Sequence, residues 1–554
     1  MSGDSEKNPS RVTGRPSQQV VGDLPEDVEG LQAVVHDLRQ DNTELRAEIE
    51  RLRENYRRLQ KSHFGPSRDT YTPPANPSQI NFFNEAERLW EQSADVEEPE
   101  LETVVVHRKK RRGKREQDLS VLPHETIDHT LSESERHCPC CDTVMTACGT
   151  TDHHELIYVP ATLKVVNHRQ HAYACPHCKV HGDKDEVVRA PIPQSLLPKS
   201  LASPSLVAHI AAEKYDKAVP LYRLERTFAD KRFHLPRQNM ARWLIQVDHT
   251  YLKGYRQALH ATMLHSTHLH ADETTVHVLK EPGREATQKS CMWVYRTGRG
   301  ERPIAIYEYQ PTKEGRHAVN FLRGFKGTLQ TDGSPIYNVL PAADVLRAGC
   351  LAHTRRKFVE FASALPKTTP PDKRANVDWI IHRIKRLYKI EETAARDSES
   401  LDAARALDHL KQQRDKESRP IFDTLFSRLA ALKDEVLPTS AFGRAISYAL
   451  GQEAYLRVYL GDPLVDIDNN ACERAVKPFV LGRKNALFSD TVAGAKASAG
   501  YYSILETAKA NGLDGYAYLN WLLTELKAQP PGQTIDWNRF FPWSDQVPSH
   551  CKLK

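Results

Sequence analysis

Three acids far apart in the chain have the type and setting that metal-assisted phosphoryl chemistry needs: Asp272 in HADET, Asp332 in LQTDG and Glu473 in DNNACERAVKPF. Brought side by side, carboxylates repel, and one stays protonated unless a cation separates them. Two Mg²⁺ (or Mn²⁺) ions ~3.5–4 Å apart remove that conflict and set an attacking oxygen opposite a leaving phosphate oxygen. Arg474, Lys477, Arg483 and Lys484 crowd around Glu473, a sensible arrangement where phosphates must approach. The plain reading stands beside this one. Asn470 with Glu473 three residues on fits a helix capping box, which would put Glu473 in the first turn of a basic helix. Acids at strand ends are common, so spacing alone does not decide.

A second chemistry lies upstream. Cys138–Cys141 and Cys175–Cys178 are CxxC pairs with 33 residues between the inner cysteines. Two such knuckles offer four thiolates to a tetrahedral Zn²⁺. The intervening LIYVPATLKVVNHRQHAYA alternates and is rich in β-branched residues, so it reads as a hairpin that joins them as in a zinc ribbon. A redox pair or unrelated thiols remain open, and Cys140, His177 and His181 are spare donors.

The acids need elements to position them. After Ser266 the pattern predicts strands in THLHADETTVHVL, SCMWVYRT and PIAIYEYQ. A helix near Gly315–Arg323, a strand GTLQTDG with Gly333 permitting a tight turn, a helix at Ile336–Leu340, a strand around Ala348–Ala352 and the helix TRRKFVEFA follow. The order β-β-β-α-β-α-β-α is that of a ribonuclease-H-like core, with antiparallel strands leading into parallel ones. It sets Asp272 in the first strand and Asp332 at the C-terminal end of the fourth.

The chain divides as follows: a disordered tail over 1–26, a coiled coil over 27–64, a linker with a basic run over 65–118 and a zinc-binding module over 119–190. A helical DNA-binding domain over 191–260 precedes the first part of the core (261–361), an α-helical insertion (362–460), the second part with Glu473 (461–500), and C-terminal helices and tail (501–554). In 27–64, Leu31, Leu38, Leu45, Leu52 and Leu59 recur every seven residues, and the other core position is Val28, Val35, Asn42, Ile49 or Tyr56. The buried Asn favours a parallel pair of fixed register, so the stretch predicts a homodimer or higher oligomer. Arg108, Lys109, Lys110, Arg111 and Arg112 head seven basic side chains in nine residues, a phosphate-contacting arm or a solvated run. SLVAHIAAEKYD, PLYRLERTFADK and RQNMARWLIQVD read as three short helices resembling a helix-turn-helix, the last presenting Arg237, Gln238 and Arg242.

At 554 residues the chain is long enough for roughly three or four domains. Its formal charge is only +5, so any nucleic-acid contact must come from local clusters. No run approaches the ~18 apolar residues of a membrane span. The N-terminus has no apolar signal region, which predicts a cytoplasmic protein with reduced thiols and no membrane partner.

With these motifs in view, the chain resembles the transposases of the insertion sequence 66 family over most of its length. The resemblance rests on the zipper closing on HFGPSRD, the paired CPxC knuckles, KYDKAVPLYRLER, HADET, LQTDG, CLAHTRRKF and, above all, DNNACERAVKPFVLGRKN followed by ILETAKANGLDGYAYL. It implies a DDE recombinase with a divalent metal held by Asp272, Asp332 and Glu473, acting on double-stranded DNA at transposon ends and at a target. It also implies that Cys350 and His353 support the active site from behind, that Arg355 and Arg356 face DNA, and that accessory proteins of the same element assist on bacterial, nucleoid-associated DNA. Ser334 departs from the family, where an aromatic is commoner. Two other functions compete. His268, His270 and Asp272 form an HxHxD strand such as metallohydrolases use with Zn²⁺, and the zipper with the knuckles would suit a DNA-binding regulator without catalysis.

Overall fold

The structure, a computed structural model, describes residues 124–159, 162–175, 187–366, 369–530 and 532–553, together with His36, Arg39 and Leu45. The tail over 1–26, nearly all of the heptad stretch, the basic run from Arg108 to Arg112, and Cys178 lie outside the described residues. His36, Arg39 and Leu45 are helical and exposed.

The cysteine region forms a four-stranded sheet of β1 (His124–His129), β2 (Thr146–Val159), β3 (Thr162–Ala174) and β4 (Val187–Arg189). The expected hairpin is β2–β3, antiparallel from Thr146↔Ala174 to Val159↔Thr162 with one irregularity between Ala147 and Gly149. Its private core is small: Leu131, Cys138, Met145, Tyr173, Cys175 and Ala190.

Helices α1 (Pro204–Ala211), α2 (Leu221–Asp230), α3 (Arg237–Val247) and α4 (Lys253–Met263) follow. Ser203 caps α1 by accepting from the Leu206 amide at 3.1 Å, and Pro204 fits the first turn because its missing N–H would have no partner there. Met240, Trp243, Leu244 and Val247 form the buried stripe of α3. These side chains share one continuous core with the central sheet and the C-terminal helices.

The central sheet holds β5 (His268–Lys280), β6 (Lys289–Thr297), β7 (Ala305–Gln310), β8 (Gly327–Gln330) and β9 (Val345–Ala348) in the spatial order β7-β6-β5-β8-β9. β5–β6 and β6–β7 are antiparallel, while β5–β8 and β8–β9 are parallel. Helix α5 (Arg316–Phe321) makes the first crossover. The second is the 3-10 turn Pro335–Val339 where an α-helix was expected at Ile336–Leu340; Pro335 opens it and only five residues are helical. The last strand stops at Ala348 rather than reaching Ala352, because Cys350 caps α6 (Leu351–Ala364).

The insertion is helical, as its 3.6-residue pattern predicts: α7 (Pro371–Asp397), α8 (Ala403–Gln413), α9 (Arg419–Glu435), α10 (Ala441–Leu456) and α11 (Val458–Gly461). It has its own core, built with α6 around Phe358, Ile380, Phe422, Leu429 and Ile446. The chain then returns to the sheet through α12 (Asn470–Ala486) and β10 (Ser489–Thr491), which pairs with β5. It ends in α13 (Val492–Ala510) and α14 (Gly515–Ala528), joined where Gly512 takes the left-handed conformation at φ +74°. Among the described residues no helix is long and apolar enough to cross a membrane.

Candidate active site and metal-ligating clusters

Parallel pairing aligns the two aspartates. His268, Leu269 and His270 of β5 face Thr328, Leu329 and Gln330 of β8, an offset of 60 residues (330 − 270) that Asp272 and Asp332 share (332 − 272). β8 ends at Gln330, so Asp332 stands just past its C-terminal end opposite the continuing β5. The Asp332 carboxylate accepts from the Ser334 amide at 2.9 Å, which fixes the turn. Gly333 is required there for a different reason from the tight turn read in the sequence. Its φ is not positive, but an added Cβ would strike the hydroxyl of Tyr448, delivered by α10 of the insertion.

Glu473 reaches the same edge from the other side. Residue Asn469, fully buried, precedes α12; its side-chain amide donates to the Ala271 carbonyl at 3.0 Å, and its Oδ1 lies 2.9 Å from His270 Nδ1. Arg296 of β6 donates to the Ala471 carbonyl at 3.0 Å. The first turn of α12 is thus tied to the residue before Asp272. The expected capping box is not formed: Asn469 is the cap, Asn470 lies inside the helix, and its amide donates to Asp468 at 3.0 Å. Glu473 is 1% exposed; its Oε1 lies 3.4 Å from His353 Nδ1 and 3.9 Å from Cys350 Sγ, and its Oε2 lies 3.7 Å from Arg356.

The acids feel one another. Burial, then the charges of Glu273, Asp332 and Glu473, hold the Asp272 carboxyl well above the usual aspartate range. The neighbouring Glu273 is also pushed up by burial, but it has partners: Lys313 at 2.7 Å and the Tyr337 hydroxyl at 2.6 Å. Hard oxygen donors gathered around a carboxyl whose charged form is disfavoured by burial and then by neighbouring negative charge suit Mg²⁺ or Mn²⁺. Among the described residues the three carboxylates do not yet close into a set with all oxygens within 4.8 Å; the set that does joins Glu473 to Cys350 and His353.

The histidines of the HxHxD strand are engaged elsewhere. His268 Nε2 lies 2.8 Å from Asp462, and His270 faces Asn469 and, at 3.8 Å, Asp466. Neither joins a metal-ready cluster among the described residues.

Of the expected DNA-facing residues, Arg237, Gln238 and Arg242 lie exposed on α3, and Arg474 and Lys484 are exposed on α12. Lys477 and Arg355 are half-buried. Arg483 is committed inward: it donates to the carbonyl of Thr275 and, at 2.9 Å, to its hydroxyl, so it fastens α12 to β5. Sequence patterns did not single out Asn469, Lys313, Tyr337 or Tyr448. Only the doubled Asn before the helix carried a signal.

In the N-terminal sheet Cys138, Cys141 and Cys175 gather their sulfurs within 4.8 Å. Cys141 and Cys175 are 3.5 Å apart, close to the about 3.8 Å that two thiolates span on a tetrahedral zinc with ~2.3 Å bonds. Hydrogen bonding with the side chain and backbone of Thr143 brings the Cys141 thiol down to about 6, which favours the thiolate a metal needs.

Three family models match the chain: "Transposase IS66 family" over residues 199–497, "zinc-finger binding domain of transposase IS66" over 135–179 and "IS66 C-terminal element" over 503–543. Curated relatives from Sinorhizobium fredii (strain NBRC 101917 / NGR234) include "Uncharacterized protein y4jD", 31% identical over 438 residues, which are 76% of this chain and 81% of the relative. "Uncharacterized protein y4qI" is 29% identical over 435 residues, 76% of each chain. No solved structure matches.

Proposed function

The chain belongs to the IS66 family of transposases, and from that premise we propose that it binds the terminal inverted repeats of an insertion sequence and catalyses metal-dependent strand cleavage and transfer there. The observation that carries this reading is the β5–β8 register, which sets Asp332, two residues past the end of β8, opposite Asp272 of the parallel β5, with Glu473 tied to the same edge through Asn469. That strand order, three antiparallel strands leading into two parallel ones, supports a ribonuclease-H-like core.

Asp272, Asp332 and Glu473 would hold the divalent cations, which supply an activated attacking oxygen and a stabilised leaving oxygen for displacement at phosphorus. Lys313 and Tyr337 keep Glu273 neutralised beside them, and Asn469 holds the first turn of α12 in place. The exposed Arg474 and Lys484 line the approach for the DNA backbone. In cleavage the water oxygen would bond to phosphorus as the water gives up a proton to solvent, the bond to the 3′ oxygen would break, and that oxygen would take up a proton to become the free 3′-hydroxyl. In transfer that hydroxyl would lose its proton, bond to a target phosphorus and displace the target's own 3′ oxygen, so no covalent protein–DNA link is needed.

Cys178 would complete a zinc site with Cys138, Cys141 and Cys175, and the exposed face of α3 would contribute Arg237, Gln238 and Arg242 to end recognition. Pairing of two chains through 27–64 would bring two ends together in the bacterial cytoplasm; this part rests on the heptads alone. The test is incubation with labelled terminal repeats and Mg²⁺ or Mn²⁺. Nicks at the element boundary that vanish in Asp272→Asn, Asp332→Asn and Glu473→Gln while end binding persists support the reading. Cutting that survives these changes overturns it.

A further inference from the structure

Glu473 belongs to two sets of donors at once. Electrostatically it acts on Asp272, yet its Oε1 lies nearest His353 Nδ1 and Cys350 Sγ, and these three ligand atoms lie within 4.8 Å of one another. The two sets differ in chemistry. One is all carboxylate and suits hard cations; the other offers sulfur, imidazole and a single carboxylate, a donor set for zinc and other borderline-soft ions.

The second set is built rather than incidental. Cys350 caps α6, and its sulfur accepts from the Asn469 amide at 3.1 Å; burial, then the charges of Glu473 and Asp468, hold the thiol well above its ordinary range, so a cation must displace its proton to bind there. His353 stands one turn along the same helix, and its buried Nδ1 has no hydrogen-bond partner among the described residues. The pair comes from one side of the insertion boundary and Glu473 from the other, after some hundred intervening residues. Thiolate and carboxylate together balance the charge of one Zn²⁺, and Arg356 at 3.7 Å from Oε2 stays on the far oxygen.

We propose that Cys350, His353 and Glu473 form a second zinc-binding site that competes with the catalytic cations for Glu473, so that zinc occupancy switches cleavage off. Binding releases the Cys350 proton to solvent, forms bonds from zinc to sulfur, nitrogen and Oε1, and leaves a fourth position for water. Asp272 and Asp332 are then left without their third carboxylate. The switching half of this inference rests on the catalytic reading of Glu473; the binding half does not.

The experiment therefore counts metal first. The full chain is equilibrated with zinc, stripped of loose ions and analysed for zinc per chain, as are Cys350→Ala and His353→Ala; Co²⁺ loading reads thiolate-to-metal absorption in parallel. The expected result is a loss of one equivalent in each variant, with the main thermal unfolding transition of the central body unchanged as the check that this part has folded. Unchanged stoichiometry in both folded variants would overturn the site. Adding zinc to a Mg²⁺-supported cleavage reaction then tests the switch, with loss of nicking in the wild type expected. Full nicking at zinc levels that fill the site overturns the competition. Failure of Mg²⁺-supported nicking itself strikes the catalytic reading and leaves the metal count standing.

Discussion

In the N-terminal sheet Cys138 and Cys141 come from one tight turn, closed by the Asp142 amide on the Cys138 carbonyl at 2.8 Å, and one hairpin returns Cys175 to them. In the central body Asp272, Asp332 and Glu473 arrive from a strand, the residues past a second strand and the start of a helix on the far side of the insertion. The first group has a small core of its own, although Leu156, Leu163 and Val165 of its hairpin join the larger one, while the second is held by the largest core among the described residues. The contrast predicts which part leans on a bound metal. Thiols around a small core are expected to draw stability from zinc, whereas packing already holds the carboxylate-bearing elements, at the cost of burying Asp272 beside like charges.

The largest expected effects lie at the carboxylates. Asp272→Asn, Asp332→Asn or Glu473→Gln should each lower cleavage about a thousandfold or more, since a bound cation contributes several kcal/mol to the reaction barrier, and gel-shift affinity for the ends should hold. Equal loss of binding and cutting would mean that the acids serve folding. Next comes the thiol cluster. Cys138→Ser or Cys175→Ser should release zinc and open the 124–190 sheet to protease while the main melting transition stays in place, a contrast that would vanish if both regions shared one stability.

Asn469→Ala probes the tie between α12 and β5. It removes partners from the Ala271 carbonyl and His270, and should cost about 1–3 kcal/mol by thermal melting along with a fall in cleavage. Burial of Asp272 beside like charges has a pH signature. Asp272 is held above its unfolded value, so the folded protein binds the extra proton, and without divalent cations stability should fall as pH rises above about 4. Asp248, pushed up by burial to about 6, and Glu308, to about 7, act in the same direction. Asp272→Asn should flatten that slope, and Mg²⁺ should raise the melting temperature more at pH 8 than at pH 5. The smallest effect is expected on α3, where Arg237→Ala or Arg242→Ala should reduce the salt dependence of end binding by about one unit of slope each.

Legibility in the sequence follows the same division. The hairpin between the cysteine pairs, the strand order around HADET and LQTDG, and the helical insertion were readable because each depends on local alternation or 3.6-residue periodicity. Glu473 was readable as an acid in a basic helix. Its nearest neighbours, however, depend on how α6 and α12 meet, and no local pattern encodes that. Gly333 shows the limit well. A glycine after Asp reads as a turn residue, yet here it makes room for Tyr448 from more than a hundred residues away. Arg483 reads as a phosphate contact in the sequence, and its bond to Thr275, which ties α12 to β5, depends on a meeting of elements that no local pattern encodes.

Replacing Mg²⁺ with Fe²⁺ and generating hydroxyl radicals at the bound ion would cut the backbone only where the cation sits. The account predicts fragments ending near residues 272, 332 and 473 in the same preparation, all lost in Asp272→Asn. Cuts confined to one of these positions, or none at any of them, would contradict the idea that a single ionic centre draws the three acids together.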